Sequence, residues 1–226
     1  LKREIITTAD GSTTIHLPEW NEQYHSKHGA IQEAYHVFIK MGLFYLIETN
    51  LPEKINILEI GFGTGLNSLI TLLEAQDKNV FVNYTGVEAY PVAAEEVKKL
   101  NYATQFKKKE AILNFDKIHD AEWEKASRIT DFFTLTKQKK FFKDIDDVNA
   151  YQLIYFDAFG ARVQPELWEK PIFEQMYKAL KVNGVLVTYS AKGSARRAMQ
   201  DCGFQVERLE GPPGKREMLR AVKTEA

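Results

Sequence analysis

The residues best suited to chemistry in this 226-residue sequence lie in three short stretches. The first is Glu59-Ile60-Gly61-Phe62-Gly63-Thr64-Gly65-Leu66-Asn67, with three glycines at alternate positions between an apolar run and a helical one. Glycines there let the backbone turn sharply and let a ligand touch main-chain atoms. The helix that follows offers free N–H groups at its start. The second is Glu88, which ends the apolar run 80–87. A carboxylate only accepts hydrogen bonds, which suits the two donors of a ribose diol. The third is Asp157, directly after the apolar run 151–156 and flanked by aromatics. A partly desolvated carboxylate there can take a hydrogen bond or a proton from an amine nucleophile. Each has a plainer reading: a tight turn for the glycines, a solvated strand end for Glu88, a loop cap for Asp157.

Two ligand classes compete for the glycine loop. A dinucleotide fingerprint needs a third small residue, and Leu66 occupies that position. A phosphate loop needs Gly-Lys-Ser/Thr, which is absent. S-adenosylmethionine carries no phosphate, and Glu59 at the loop entrance can draw its ammonium. On this reading the cofactor set is Glu59, Gly61, Phe62, Gly63, Gly65, Asn67, Glu88 and Asp157, with Asp157 also catalytic. Glu88 alone would serve NAD equally well. Methyl transfer from a sulfonium is an in-line displacement, in which protein supplies position and a deprotonated acceptor. It needs no metal, and His16, His25, His28, His36 and His119 fall into no ligand spacing.

These residues need a scaffold that brings strand ends together. Apolar runs at 55–60, 80–87, 132–136, 151–156 and 185–189 read as strands, and 204–209 and 217–222 as a final pair. Helical stretches at 66–75, 92–100, 167–180 and 193–199 alternate with them. Such alternation gives an α/β fold, a three-layer Rossmann-like arrangement with a mostly parallel seven-stranded sheet and an antiparallel C-terminal hairpin. Residues 102–130 read as helices and loops. Residues 1–50 read as a small extension, a β-ribbon turning at Asp10-Gly11 and then an amphipathic helix that Asn50 and Pro52 end. Residues 51–226 form the main domain.

Composition narrows the function classes. One cysteine, Cys202, allows neither an internal disulfide nor a Cys-rich zinc site, and fits a cytoplasmic protein. No apolar run approaches the roughly 20 residues that span a bilayer, and the first five residues carry no apolar signal core. A net charge of -1 gives no overall push toward nucleic acid, so any such contact needs a local basic cluster. Candidate clusters are Lys107 to Lys109, then Lys137, Lys139, Lys140 and Lys143, then Lys192, Arg196, Arg197, Lys215, Arg216 and Arg220. Tyr24, Phe62, Phe159 and Trp168 could stack on a splayed base, although such aromatics are more often core, Trp168 above all.

Several motifs, taken together, resemble the methyltransferase domain of the MnmC/MnmD family. Residues 59–67 read E-I-G-F-G-T-G-L-N, 157–168 read D-A-F-x-x-x-x-x-P-E-L-W, and 189–197 read Y-S-A-K-G-x-x-R-R. Residues 211–218 read G-P-P-G-K-R-E-M, joined by Tyr24-His25-Ser26 and Glu33-x-x-His36-Val37-Phe38. The resemblance implies a class I methyltransferase fold, S-adenosylmethionine as cofactor, and methylation of the 5-aminomethyl group of a tRNA wobble uridine to 5-methylaminomethyl. It puts Asp157 beside donor and acceptor. It makes tRNA the partner and puts Lys215 and Arg216 near the substrate; with Lys192, Arg196 and Arg197 from the same basic cluster they are the substrate-binding candidates. One departure is that Lys137-Gln138-Lys139-Lys140 stands where many relatives carry Gly-Asp near the adenine. No second glycine fingerprint for the family's fused oxidase domain is visible. No flavin is therefore expected; the lack of an apolar span and of a ligand spacing likewise leads to no membrane partner and no metal being expected, and a monomer is favoured. A methyltransferase for a small-molecule amine and a non-catalytic nucleotide-binding module are the alternatives.

Overall fold

The structure, a computed structural model, describes residues 2–50 and 53–225; Pro52, expected to help end the first helix, lies outside them. The extension begins with β1 (Glu4–Thr7), β2 (Thr13–Leu17) and β3 (Glu22–Gln23), an antiparallel three-stranded sheet. Its first turn contains Asp10-Gly11, with Gly11 at φ 83 and Asp10 accepting from Thr8 Oγ1 at 2.7 Å and the Ser12 N–H at 3.0 Å. The side chain thereby stands in for a backbone partner in the turn.

The next helix departs from the sequence expectation. Apolar steps of three and four predict an α-helix, yet α1 (Ala30–Ala34) and α2 (Tyr45–Asn50) are joined by a π-helical segment, Tyr35–Phe44. The wider turn brings consecutive Val37, Phe38 and Ile39, then Gly42 and Leu43, to buried positions against the sheet. A Cβ on Gly42 would stand 2.9 Å from a Val187 methyl, so the glycine permits this approach.

The main sheet is built from β4 (Lys54–Ile60), β5 (Phe81–Val87), β6 (Ala126–Thr130), β7 (Phe133–Gln138), β8 (Tyr151–Phe156), β9 (Leu180–Thr188), β10 (Phe204–Glu210) and β11 (Glu217–Lys223). Their order is β10-β11-β9-β8-β4-β5-β7-β6. Strands β7, β5, β4, β8 and β9 are parallel, and β11 runs antiparallel between β9 and β10. The sheet has eight strands, where seven were expected. The addition is β6, an edge strand antiparallel to β7. Ile129 is its one buried residue, so it carries no apolar run for a sequence reading to detect.

Successive residues of a strand face opposite sides, and the core divides accordingly. Ile57, Leu153 and Tyr155 join the extension's helix, α3 (Leu66–Lys78) and α4 (Glu110–Asp120) on one face. Leu58, Ile154 and Phe156 join α5 (Lys170–Ala179) and α6 (Gly193–Asp201) on the other. Each fully buried side chain of this size contributes about 1.5–3 kcal/mol. No helix among the described residues is long and apolar enough to cross a membrane.

The central strand β4 lies between β5 and β8. In open α/β sheets the crevice at the carboxyl ends of such strands receives ligands. Here those ends deliver Glu59, Glu88 and Asp157.

Candidate functional site

The floor of the crevice is a three-residue network. Asn67, in the first turn of α3, donates from one nitrogen to Glu59 Oε1 and to Asp157 Oδ2, both at 2.9 Å. Its Oδ1 is buried without a partner among the described residues. Glu59 is 1% exposed, and burial holds its carboxyl well above the usual range, with the Asn67 bond opposing and Asp157's charge adding. Burial likewise pushes Asp157 up to about 7, with Glu33 adding and Asn67 and Lys215 opposing. Two carboxyls sharing one amide donor in a low dielectric resist simultaneous ionisation, and a bound cation relieves both.

The glycine loop is shaped by close approaches. Gly61 has φ 89, and a Cβ there would stand 2.7 Å from the Asp157 carbonyl oxygen. Gly63 lies under the Tyr24 ring with φ 48, and its N–H donates to Glu88 Oε2 at 3.1 Å. Glu88 Oε1 accepts from the Tyr90 N–H at 2.9 Å, so this carboxylate ties two loops while keeping spare lone pairs. Phe62 is packed at 4% exposure, edge-on to His119 and Trp123 and against Gly86. Its ring serves mainly as a wedge under the loop. His119 donates to the Thr64 carbonyl at 3.1 Å, and burial lowers it to about 4, so it stays neutral.

The extension forms the roof. Tyr24 and Trp20 meet Phe159 edge to face at 5.0 and 5.8 Å. Arg162 donates to the Trp20 and Asn21 carbonyls and to Glu22, at 2.7 to 3.0 Å. Arg3 donates to the Tyr90 carbonyl and to Glu96, both at 3.0 Å. Between floor and roof is a cavity of about 1340 Å³. Eight lining residues are Asp or Glu and four are Lys or Arg, so the cavity favours cationic guests.

The basic candidates separate. Lys215 lines the cavity but is paired with Glu33. Lys192 and Arg216 line an adjoining shallow groove of about 410 Å³ that shares Tyr189 and Lys215 with it. Arg196 is half-buried and Arg197 exposed, and neither lines these cavities. Lys137 is not a surface residue: it is 2% exposed, donates to the His119 carbonyl at 2.7 Å and lies over Trp123. It occupies an inward position of β7, so the Lys137 to Lys143 group is no continuous basic patch. Lys108 is paired with Asp77, and Arg220 with Glu207. Trp168 is core, its indole N–H bonded to the Phe159 carbonyl at 2.7 Å.

Sequence reasoning passed over Glu33 as a site residue. The signal was present: Glu33 shares an apolar helical stripe with Ala30, Ala34 and Val37, where an unpaired acid would be costly.

A family profile described as S-adenosyl-L-methionine-dependent methyltransferase matches residues 98–224. The chain is 28% identical, over 96% of its length, to the tRNA 5-methylaminomethyl-2-thiouridine biosynthesis bifunctional protein MnmC of Hydrogenovibrio crunogenus, and covers 33% of it. It is 29% identical, over 95% of its length, to the protein of the same name from Burkholderia thailandensis, and covers 34% of it. The chain thus spans about a third of the length of these relatives. The crystal structure of MNMC2 from Aquifex aeolicus superposes with TM-score 0.80 at 23% identity, over 99% of this chain and 71% of that one.

Proposed function

Because the chain belongs to the S-adenosyl-L-methionine-dependent methyltransferase family, we propose that its acceptor is a primary amine, the 5-aminomethyl group of a tRNA wobble uridine, which it converts to 5-methylaminomethyl. The observation that carries this reading is Asp157, joined to Asn67 and Glu59 at the floor of an acid-rich cavity. The name of the MnmC relatives, tRNA 5-methylaminomethyl-2-thiouridine biosynthesis proteins, supports the RNA part.

The residues present fit the family's cofactor. Small-ligand pockets occupy about 300–1,000 Å³, so 1340 Å³ leaves room for a nucleoside cofactor and an acceptor base together. Acid-rich walls suit a sulfonium. We assign Glu88 to the ribose hydroxyls, the loop through Gly61, Gly63 and Gly65 to the main-chain contacts, and Glu59 with Asn67 to the amino-acid end. Bound there, S-adenosylmethionine supplies a methyl group already activated for in-line displacement.

The protein's own work is then positional and protonic. An aminomethyl group is cationic in water and must lose a proton before it can attack. Asp157, with its proton affinity raised to about 7, accepts that proton near neutral pH. Asn67 fixes the carboxylate's direction. Lys192 and Arg216 in the outer groove, with Arg196 and Arg197 beyond it, supply the contacts for phosphates. The division into an extension, residues 1–50, and a catalytic domain, residues 51–226, belongs to this proposal, as does a cytoplasmic place of action.

The test is mass analysis of wobble nucleosides from tRNA bearing 5-aminomethyluridine, incubated with the protein and a labelled methyl donor. Label in 5-methylaminomethyluridine supports the reading. Methylation of free amines with no label in tRNA overturns it.

A further inference from the structure

Lys215 was expected at the RNA, yet it is turned inward. Its ammonium pairs with Glu33, a buried acid of α1, and stands 3.9 Å from the centre of the Tyr189 ring. The second oxygen of Glu33 accepts the Ser26 N–H at 2.6 Å. The Tyr189 hydroxyl donates to the carbonyl of Ala158 at 2.8 Å, next in the chain to Asp157. These contacts join the first helix, the turn between β10 and β11, the end of β9 and the Asp157 loop. Glu33, Lys215, Tyr189 and Asp157 all line the same cavity.

We propose that Lys215 and Glu33 form a positioning pair for the acceptor end of the cavity, fixing the Asp157 loop through Tyr189 and balancing the charge that Asp157 meets. The proposal rests on the reading of Asp157 as proton acceptor. It removes Lys215 from the phosphate contacts and leaves Lys192 and Arg216 in that part.

The charged and titratable groups that interact with Asp157 are Glu59, Tyr84, Glu33, Lys215, Tyr189 and Tyr102. Burial holds Tyr84, Tyr102 and Tyr189 protonated. Glu33 and Lys215 act on Asp157 with opposite sign. Loss of Lys215 leaves the Glu33 charge uncompensated and makes Asp157 hold its proton more tightly. Loss of Glu33 leaves the ammonium free and makes Asp157 release its proton more readily.

The experiment is a carboxyl-carbon NMR titration of cofactor-free protein labelled at aspartate, with the Asp157 signal identified by its absence in Asp157→Asn. Expected is an inflection near pH 7 in the parent. It should move up by about one pH unit in Lys215→Met, down by a similar amount in Glu33→Gln, and return toward the parent in Lys215→Arg. Opposite movements are what a merely structural role would not give. An unmoved inflection, or movement in the same direction in both variants, overturns the proposal. So does a fall of about one in the salt slope of tRNA binding in Lys215→Met with the titration unmoved, since that assigns the lysine to a phosphate. If Glu33→Gln does not fold, the Lys215→Met and Lys215→Arg pair still decides. Failure of the parent reading is separately visible, as normal methyl transfer by Asp157→Asn.

Discussion

The floor and the roof of the cavity are held together by different physics. The floor is made by strand ends. Glu59 lies on β4 and Asp157 directly follows the adjacent parallel β8; the register pairs Ile60 with Phe156 and the Asp157 N–H donates to the Ile60 carbonyl, so the backbone ladder fixes their separation. The roof is made by single side chains spanning long stretches of chain: Arg3 to Glu96, Glu22 to Arg162, Glu33 to Lys215. A floor of this kind is rigid and resists substitution. Exposed clamps such as Arg162 contribute little each, since surface ion pairs are worth about 0–1 kcal/mol. The carboxylate proposed to take the amine proton therefore rests on the stable half, and the half proposed to admit a ligand is fastened by weaker ties.

Substitution can break this contrast. The largest effect outside Asp157 itself is expected from Gly61→Ala. Its φ of 89 and the 2.7 Å approach to the Asp157 carbonyl leave no place for a methyl. Backbone strain alone costs about 1–3 kcal/mol. Thermal unfolding should begin several degrees lower, and calorimetry should show cofactor affinity falling about tenfold or more. Unchanged melting and binding would mean that the floor is not rigid.

A medium effect concerns pH. Asp157 holds its proton in the folded protein up to about 7, above its ordinary value of 3.8. Stability from that protonated carboxyl is full below the unfolded value and is lost as pH rises through 7. Asp157→Asn should therefore melt higher than the parent at pH 8, with the gain shrinking toward pH 5. A gain that is equal at both pH values would remove the ionised carboxylate as its cause.

The smallest effect is expected from Arg162→Ala. Stability should change by less than about 1 kcal/mol, while stopped-flow measurement should show faster cofactor dissociation through the loosened roof. A loss of several kcal/mol would make the roof as structural as the floor.

The same contrast explains what could be read from the sequence. Apolar runs ending in Glu59, Glu88 and Asp157, and the glycines between them, are local patterns, and they located the crevice. The parallel sheet and the terminal hairpin follow from the alternation of elements. Other features had no such signature. Strand β6 buries one residue, the π-helical segment shares an apolar pattern with an ordinary helix, and Lys137 reads as a surface lysine until β7 turns it inward. The partner of Lys215 lies 182 residues away, and no local spacing encodes such a pair.

The central claim is that Asp157 takes the amine proton before methyl transfer. The most direct measurement is single-turnover methyl transfer to tRNA carrying 5-aminomethyluridine by Asp157→Ala, with cofactor binding followed on the same protein. The account expects cofactor affinity within a few-fold of the parent and a transfer rate lower by about 10²–10⁴. Transfer at the parent rate would contradict it.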